Sequence, residues 1–109
     1  MLADTRHTLW LLAGPSPSEG DLRSLADLRA RVEARYRAWV AVHLVLMEPP
    51  ASLSWSGSLF RDPDGALHGR FGNAPALCLI RPDGYLGFRG RAGEGERLLS
   101  YLESLFPPP

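Results

Sequence analysis

The sequence predicts an α/β domain: one mixed four-stranded sheet with helices on both faces, in the order β-α-β-α-β-β-α. Two observations carry that prediction. An apolar run, an amphipathic stretch and a second apolar run follow one another in the first half of the chain, the pattern of a parallel crossover. In the second half, a Pro-Asp-Gly turn sits between two short apolar segments and a leucine-spaced stretch closes the chain.

Each element has a local reason. His7 to Ala13 is apolar throughout and closed by Gly14-Pro15, as a strand covered on both faces requires. From Asp21, residues Leu22, Leu25, Leu28, Val32 and Tyr36 recur at steps of three and four, with Asp21 or Ser18 available as a cap. Trp39 to Met47 is the second strand, apolar on both alternating faces except at His43, and Pro49-Pro50 stops it. The serine-rich stretch Ala51 to Phe60 has no period and is predicted to be a loop. Asp62-Pro63 reads as a cap with proline at the first helical position, and Gly72 as the residue past the end of a short helix carrying Leu67 and Phe71. Ala76 to Ile80 and Tyr85 to Arg89 form a hairpin around Arg81, Pro82, Asp83 and Gly84, with proline and glycine suiting the two central turn positions. Leu98, Leu102 and Leu105 define a last helix, ended by Pro107 to Pro109.

At 109 residues the chain is expected to be a single domain, residues 1–109, with one core. Twelve acidic and twelve basic residues balance, which provides no broad field for nucleic acid or anionic lipid. All twelve of those bases are arginine. Together with abundant Ala, Leu, Gly and Pro, this fits GC-rich codon usage more simply than a mechanism. No apolar run reaches the ~20 residues of a membrane helix, and the leading residues read as a strand instead of a signal peptide. A single cysteine cannot form an internal disulfide, which fits a cytoplasmic location.

The order of elements is the core of the thioredoxin fold, and Pro75, directly before ALCLI, resembles the cis-proline that faces the CxxC motif of that fold. The motif would fall within Pro15-Ser16-Pro17-Ser18-Glu19-Gly20, where no thiol exists. Serine cannot replace it, because dithiol exchange needs a thiolate and a second, resolving sulfur. The stretches DPDGALHGRFG and LCLIRPDGYLGFR further resemble the C-terminal thioredoxin-like domain of FAD-dependent aromatic hydroxylases, the phenol hydroxylase family of flavoprotein monooxygenases. That resemblance implies an appendage without its enzyme. FAD and substrate belong to other domains, so the chain itself is expected to bind no cofactor. It would serve protein contact, as a homodimer or against a flavoprotein monooxygenase.

Individual residues weigh in the same direction. Cys78, mid-strand in ALCLI, is expected to be a small buried hydrophobe, the alternative being a single-cysteine thiol enzyme built on it. His7, His43 and His68 fall on three elements without metal-ligand spacing, so no metal is expected and His43 needs a hydrogen-bond partner. Gly90-Arg91-Ala92-Gly93-Glu94-Gly95 reads as a strand-to-helix loop in preference to a phosphate cradle, since acids stand where bare amides are needed. Pro75, Arg81, Pro82, Asp83 and Gly84 are the fold signature, while Trp55, Phe60 and Arg89 are candidate contact residues.

Overall fold

His7–Leu12 alternates so that Leu9 and Leu11 point to one face of the sheet and Trp10 and Leu12 to the other, and both sets find cover. This strand, β1, lies at the centre of a five-stranded sheet in the computed structural model, which describes residues 6–47, 58–70 and 75–106. The chain runs β1 (His7–Leu12), α1 (Glu19–Tyr36), β2 (Val40–Leu46), β3 (Ser58–Arg61), α2 (Ala66–Arg70), β4 (Ala76–Ile80), β5 (Leu86–Arg91), α3 (Gly95–Leu105). The sheet order is β3-β2-β1-β4-β5, with β2 parallel to β1 and to β3, and β4 antiparallel to β1 and to β5. This is a thioredoxin-like arrangement.

Two cores of unequal size result. On the larger side, Leu9, Leu11, Val42, Leu44, Leu77 and Leu79 pack against Leu25, Leu28, Val32 and Tyr36 of α1 and Leu98 and Leu102 of α3. Spacing of three and four along both helices is what brings those side chains onto one stripe. On the other side Leu12, Val45, Ala76 and Cys78 form a small cluster, joined by Trp10 and by Leu67 from α2. One helix of five residues is therefore the helical cover of that face among the described residues.

The strand count differs from the sequence expectation. Ser58–Arg61, placed in the loop Ala51 to Phe60, pairs in parallel with β2 from His43↔Ser58 to Leu46↔Arg61. All four of its residues are exposed, so no apolar alternation marks it, and backbone pairing to β2 alone defines it. The rest of the expected loop, Trp55 included, lies outside the described residues, as do Phe71 and Gly72 at the expected end of α2. The α2 helix also begins later than Pro63, because Asp62 to Gly65 make a turn first, with Gly65 N–H donating to Asp62 O at 2.9 Å.

The hairpin contains an irregularity with consequences for the site. Arg81 N–H donates to Tyr85 O at 2.8 Å, and Ile80 stands opposite Leu86, but a register shift between Leu79 and Ile80 then sets Leu79 opposite Phe88 and Cys78 opposite Arg89. An unshifted ladder would put Phe88 across from Cys78 and turn Arg89 to the other face.

Candidate functional site

The carboxyl ends of β1 and β2, the start of α1 and Pro75 meet at one pole of the sheet, where open α/β sheets place their ligands. Gly14, just after β1, has φ +85°, and a Cβ there would lie 2.8 Å from Pro75 Cγ. The β1–α1 turn is thus pressed onto the residue just before β4. The Ala74–Pro75 peptide bond falls outside the described residues.

No sulfur occupies the start of α1. Ser18 is its N-cap: Ser18 Oγ accepts from Asp21 N–H at 3.0 Å and Asp21 Oδ2 accepts from Ser18 N–H at 2.8 Å. The hydroxyl is committed to helix start, not to chemistry. Ser18→Ala should destabilise the fold by about 1 kcal/mol, read as a shift of the urea midpoint at unchanged slope. The cleft beside it, lined by Ala13, Asp21, Ser24, Leu25, Pro75 and Ala92 among others, holds about 100 Å³.

A polar triad that the sequence did not reveal holds this pole together. His68 is fully buried; its Nδ1 lies 2.8 Å from Asp62 Oδ2, and its Nε2 accepts from Gly14 N–H at 3.0 Å. Since an amide can only donate, Nε2 carries the lone pair and Nδ1 the proton given to Asp62. Asp62 also accepts from the backbone N–H groups of Leu67 (3.1 Å) and His68 (2.9 Å), capping α2. Burial pushes the Asp62 carboxyl up, but these bonds together outweigh it and hold its pKa below the ordinary value. Both ring nitrogens being engaged, His68 is a strut between α2 and the β1–α1 turn, not an acid or base.

Cys78, mid-strand in β4, lies on the α2 face of the same sheet. It is fully buried, packed with Leu12, Val45, Ala76, Trp10 and Leu67. Burial raises its thiol pKa to about 11, against a smaller downward pull from Arg89, its cross-strand partner. The cation beside the thiol is the feature sequence reasoning missed, and only the register of the hairpin could have located it.

The remaining candidates are distributed over the surface. Arg81 Nη2 pairs with Asp83 Oδ2 at 2.7 Å, Asp83 Oδ1 accepts from Tyr85 N–H at 3.1 Å, and Gly84 takes φ +91°. These residues, with Pro82, shape their own turn and stand at the pole opposite Pro75. Phe60 is exposed on β3 and packs edge-on against Trp10 and His43, whose Nδ1 lies 2.7 Å from Ser58 Oγ. The Gly90–Gly95 stretch is closed by its own acid: Glu94 Oε1 accepts from Arg91 N–H and Oε2 pairs with Arg97, which holds the Glu94 carboxyl below its ordinary pKa. Among the described residues no group of three or more His, Cys, Asp or Glu could hold a metal ion. No helix among them is long and apolar enough to cross a membrane.

No family model and no curated protein matches the chain. Solved structures do. Peroxiredoxin Q of Xanthomonas campestris superposes with a TM-score of 0.76 at 16% identity, covering 94% of this chain and 81% of that one. The bacterioferritin comigratory protein of Xanthomonas campestris, described for its alkyl peroxide reduction activity, matches with a TM-score of 0.71 at 15% identity over 93% and 78% of the two chains. The reduced 2-Cys peroxiredoxin of Plasmodium vivax gives 0.64 at 12% identity over 92% and 78%. The likeness establishes the thioredoxin-like fold.

It also corrects the resemblance to the C-terminal domain of FAD-dependent aromatic hydroxylases. The matched structures are peroxiredoxins and, at 16% identity and a TM-score of 0.68, a putative thiol:disulfide interchange protein of Chlorobium tepidum, not hydroxylase domains; within LCLIRPDGYLGFR, the RPDG turn is what a tight hairpin with proline and glycine at its centre selects. The expected role as a non-catalytic contact module attached to a flavoprotein rested on that resemblance and is corrected with it.

Proposed function

We propose that the protein is a thiol-dependent enzyme that reduces alkyl peroxides through Cys78. The observation that carries the reading is Cys78 itself: the chain's one sulfur nucleophile lies on the thinly covered face of a peroxiredoxin-like sheet, with Arg89 directly across from it. In the proposed reaction the Cys78 thiolate attacks the terminal oxygen of ROOH. The O–O bond breaks, sulfenic acid forms on Cys78, and the alkoxide leaves as ROH with a proton from solvent. With no second cysteine in the chain, two small thiols from solution complete the cycle. The first displaces water to form a mixed disulfide, and the second releases Cys78 and leaves as the disulfide.

Burial sets the pace of this chemistry. A thiol with pKa of about 11 is ionised to only about one part in ten thousand at neutral pH. Movement of the short α2 helix is the route by which peroxide reaches the sulfur, because Leu67 covers it. Arg89 is then placed to stabilise the thiolate. A reducing, cytoplasmic compartment fits a lone thiol, and a homodimer fits the exposed Leu59 and Phe60 of β3, a state that light scattering would reveal.

The test is consumption of tert-butyl hydroperoxide with dithiothreitol as reductant. Slow turnover is expected, rising nearly tenfold per pH unit between neutrality and the Cys78 pKa, and absent in Cys78→Ser of unchanged circular dichroism. If native protein and Cys78→Ser consume peroxide equally at every pH, the assignment is wrong.

A further inference from the structure

A second concavity lies about 20 Å from the Gly14–Pro75 pole, the length of β1. There the first residue of β1, the β4–β5 turn and the second half of α3 enclose a cleft of about 520 Å³ lined by His7, Arg81, Pro82, Asp83, Tyr101 and Leu105. That volume is within the range of about 300–1,000 Å³ typical of small-molecule sites.

We propose that this cleft binds a small carboxylate with an apolar body, Arg81 being its charge partner and Pro82 and Leu105 its apolar walls. Arg81 is already oriented: Asp83 Oδ2 holds its Nη2 at 2.7 Å, while the other oxygen of Asp83 is occupied by Tyr85 N–H. A guanidinium offers five N–H donors in a rigid fork, so the Asp83 pair leaves donors for a second carboxylate. The Tyr101 hydroxyl and the His7 ring enter no hydrogen bond among the described residues. The His7 ring makes an edge-on contact with Phe106 at 5.3 Å, and the His7 backbone N–H donates to Trp39 O at 2.9 Å. Three polar groups with unused capacity thus converge on one partly apolar cleft, the arrangement from which ligand sites are built.

The electrostatics agree in sign. The His7 pKa is lowered first by burial and then by Arg81, whose charge outweighs the opposing pull of Asp83. The ring therefore lies in a net positive field despite the nearby acid. An anion bound there would cancel part of that field, so binding should raise the His7 pKa, and by linkage affinity should increase as His7 protonates.

Benzoate is the probe, with benzyl alcohol and inorganic phosphate as comparisons, followed by NMR of the His7 and Tyr101 rings. Saturable shifts with a dissociation constant on the order of 1 mM are expected for benzoate, with an upward move of the His7 titration midpoint. Arg81→Gln should weaken binding by about tenfold or more, and Tyr101→Phe by less. Absence of saturable shifts, an equal response to benzyl alcohol or to phosphate, or undiminished affinity in folded Arg81→Gln would each overturn the site. Because none of these readouts involves Cys78, failure of the peroxidase reading leaves the result interpretable.

Discussion

Replacing His68 by alanine is expected to remove about 3 kcal/mol of stability and to lower the melting temperature by roughly 10 °C or more. The ring is fully buried and joins segments 54 residues apart, so its loss does more than delete one contact. Gly14 N–H loses its acceptor at a position water does not reach, and the Asp62 carboxylate loses the Nδ1–H donor, keeping only those of the two backbone amides. An orphaned buried donor alone costs about 1–3 kcal/mol, and the emptied ring volume adds a cavity. Urea denaturation of native and His68→Ala protein measures the difference directly. A loss below about 1 kcal/mol would mean the ring does not bridge α2 and the β1–α1 turn in solution.

Gly14→Ala is expected to be nearly as damaging, at about 2–4 kcal/mol, although it adds one methyl group. A residue with a Cβ at φ +85° is strained by about 1–3 kcal/mol before any neighbour is considered. The new carbon would then lie 2.8 Å from Pro75 Cγ and 3.0 Å from Cδ, and a proline ring cannot rotate away. Either β1 or β4 must shift, and the Gly14 bond to His68 shifts with it. The control is Gly20→Ala in the first turn of α1, where the nearest atom to a new Cβ is Ser18 Oγ at 3.6 Å. That substitution should be neutral or stabilise by up to about 1 kcal/mol. Equal urea midpoints for the two variants would contradict the packed contact between the turn and Pro75.

The difference between what the sequence disclosed and what it hid follows the range of the interactions. Leu22, Leu25, Leu28, Val32 and Tyr36 announce α1 because its burial is a property of one continuous stripe, and the same holds for Leu98 and Leu102 of α3. The apolar runs of β1, β2 and β4 are legible for the same reason, since both faces of each are covered. By contrast β3 has no buried residue and exists through its ladder with β2, a partner that local patterning does not describe.

The site was half legible. That the start of α1 holds no thiol follows from the residue types alone, while the cap was narrowed only to Asp21 or Ser18, and the structure uses both, Ser18 as the cap and Asp21 as its reciprocal partner. The Asp62–His68 pair was masked by a sufficient local explanation, because an acid before a proline already accounts for a helix cap. Gly14 as the third member could not be inferred at all, being distant in the chain. Arg89 beside Cys78 is the most instructive case: a single irregularity between Leu79 and Ile80 reverses which side chains of the hairpin share a face, and nothing in the local residue types marks it.

The His68 ring proton on Nδ1, shielded from solvent and shared with a carboxylate, exchanges slowly enough to be seen as its own downfield resonance, whereas an imidazole open to water averages it away. The protein thus contains an intrinsic spectroscopic beacon for the seating of its smallest helix, readable without labels in the same sample used to follow any reaction at the sulfur beneath it.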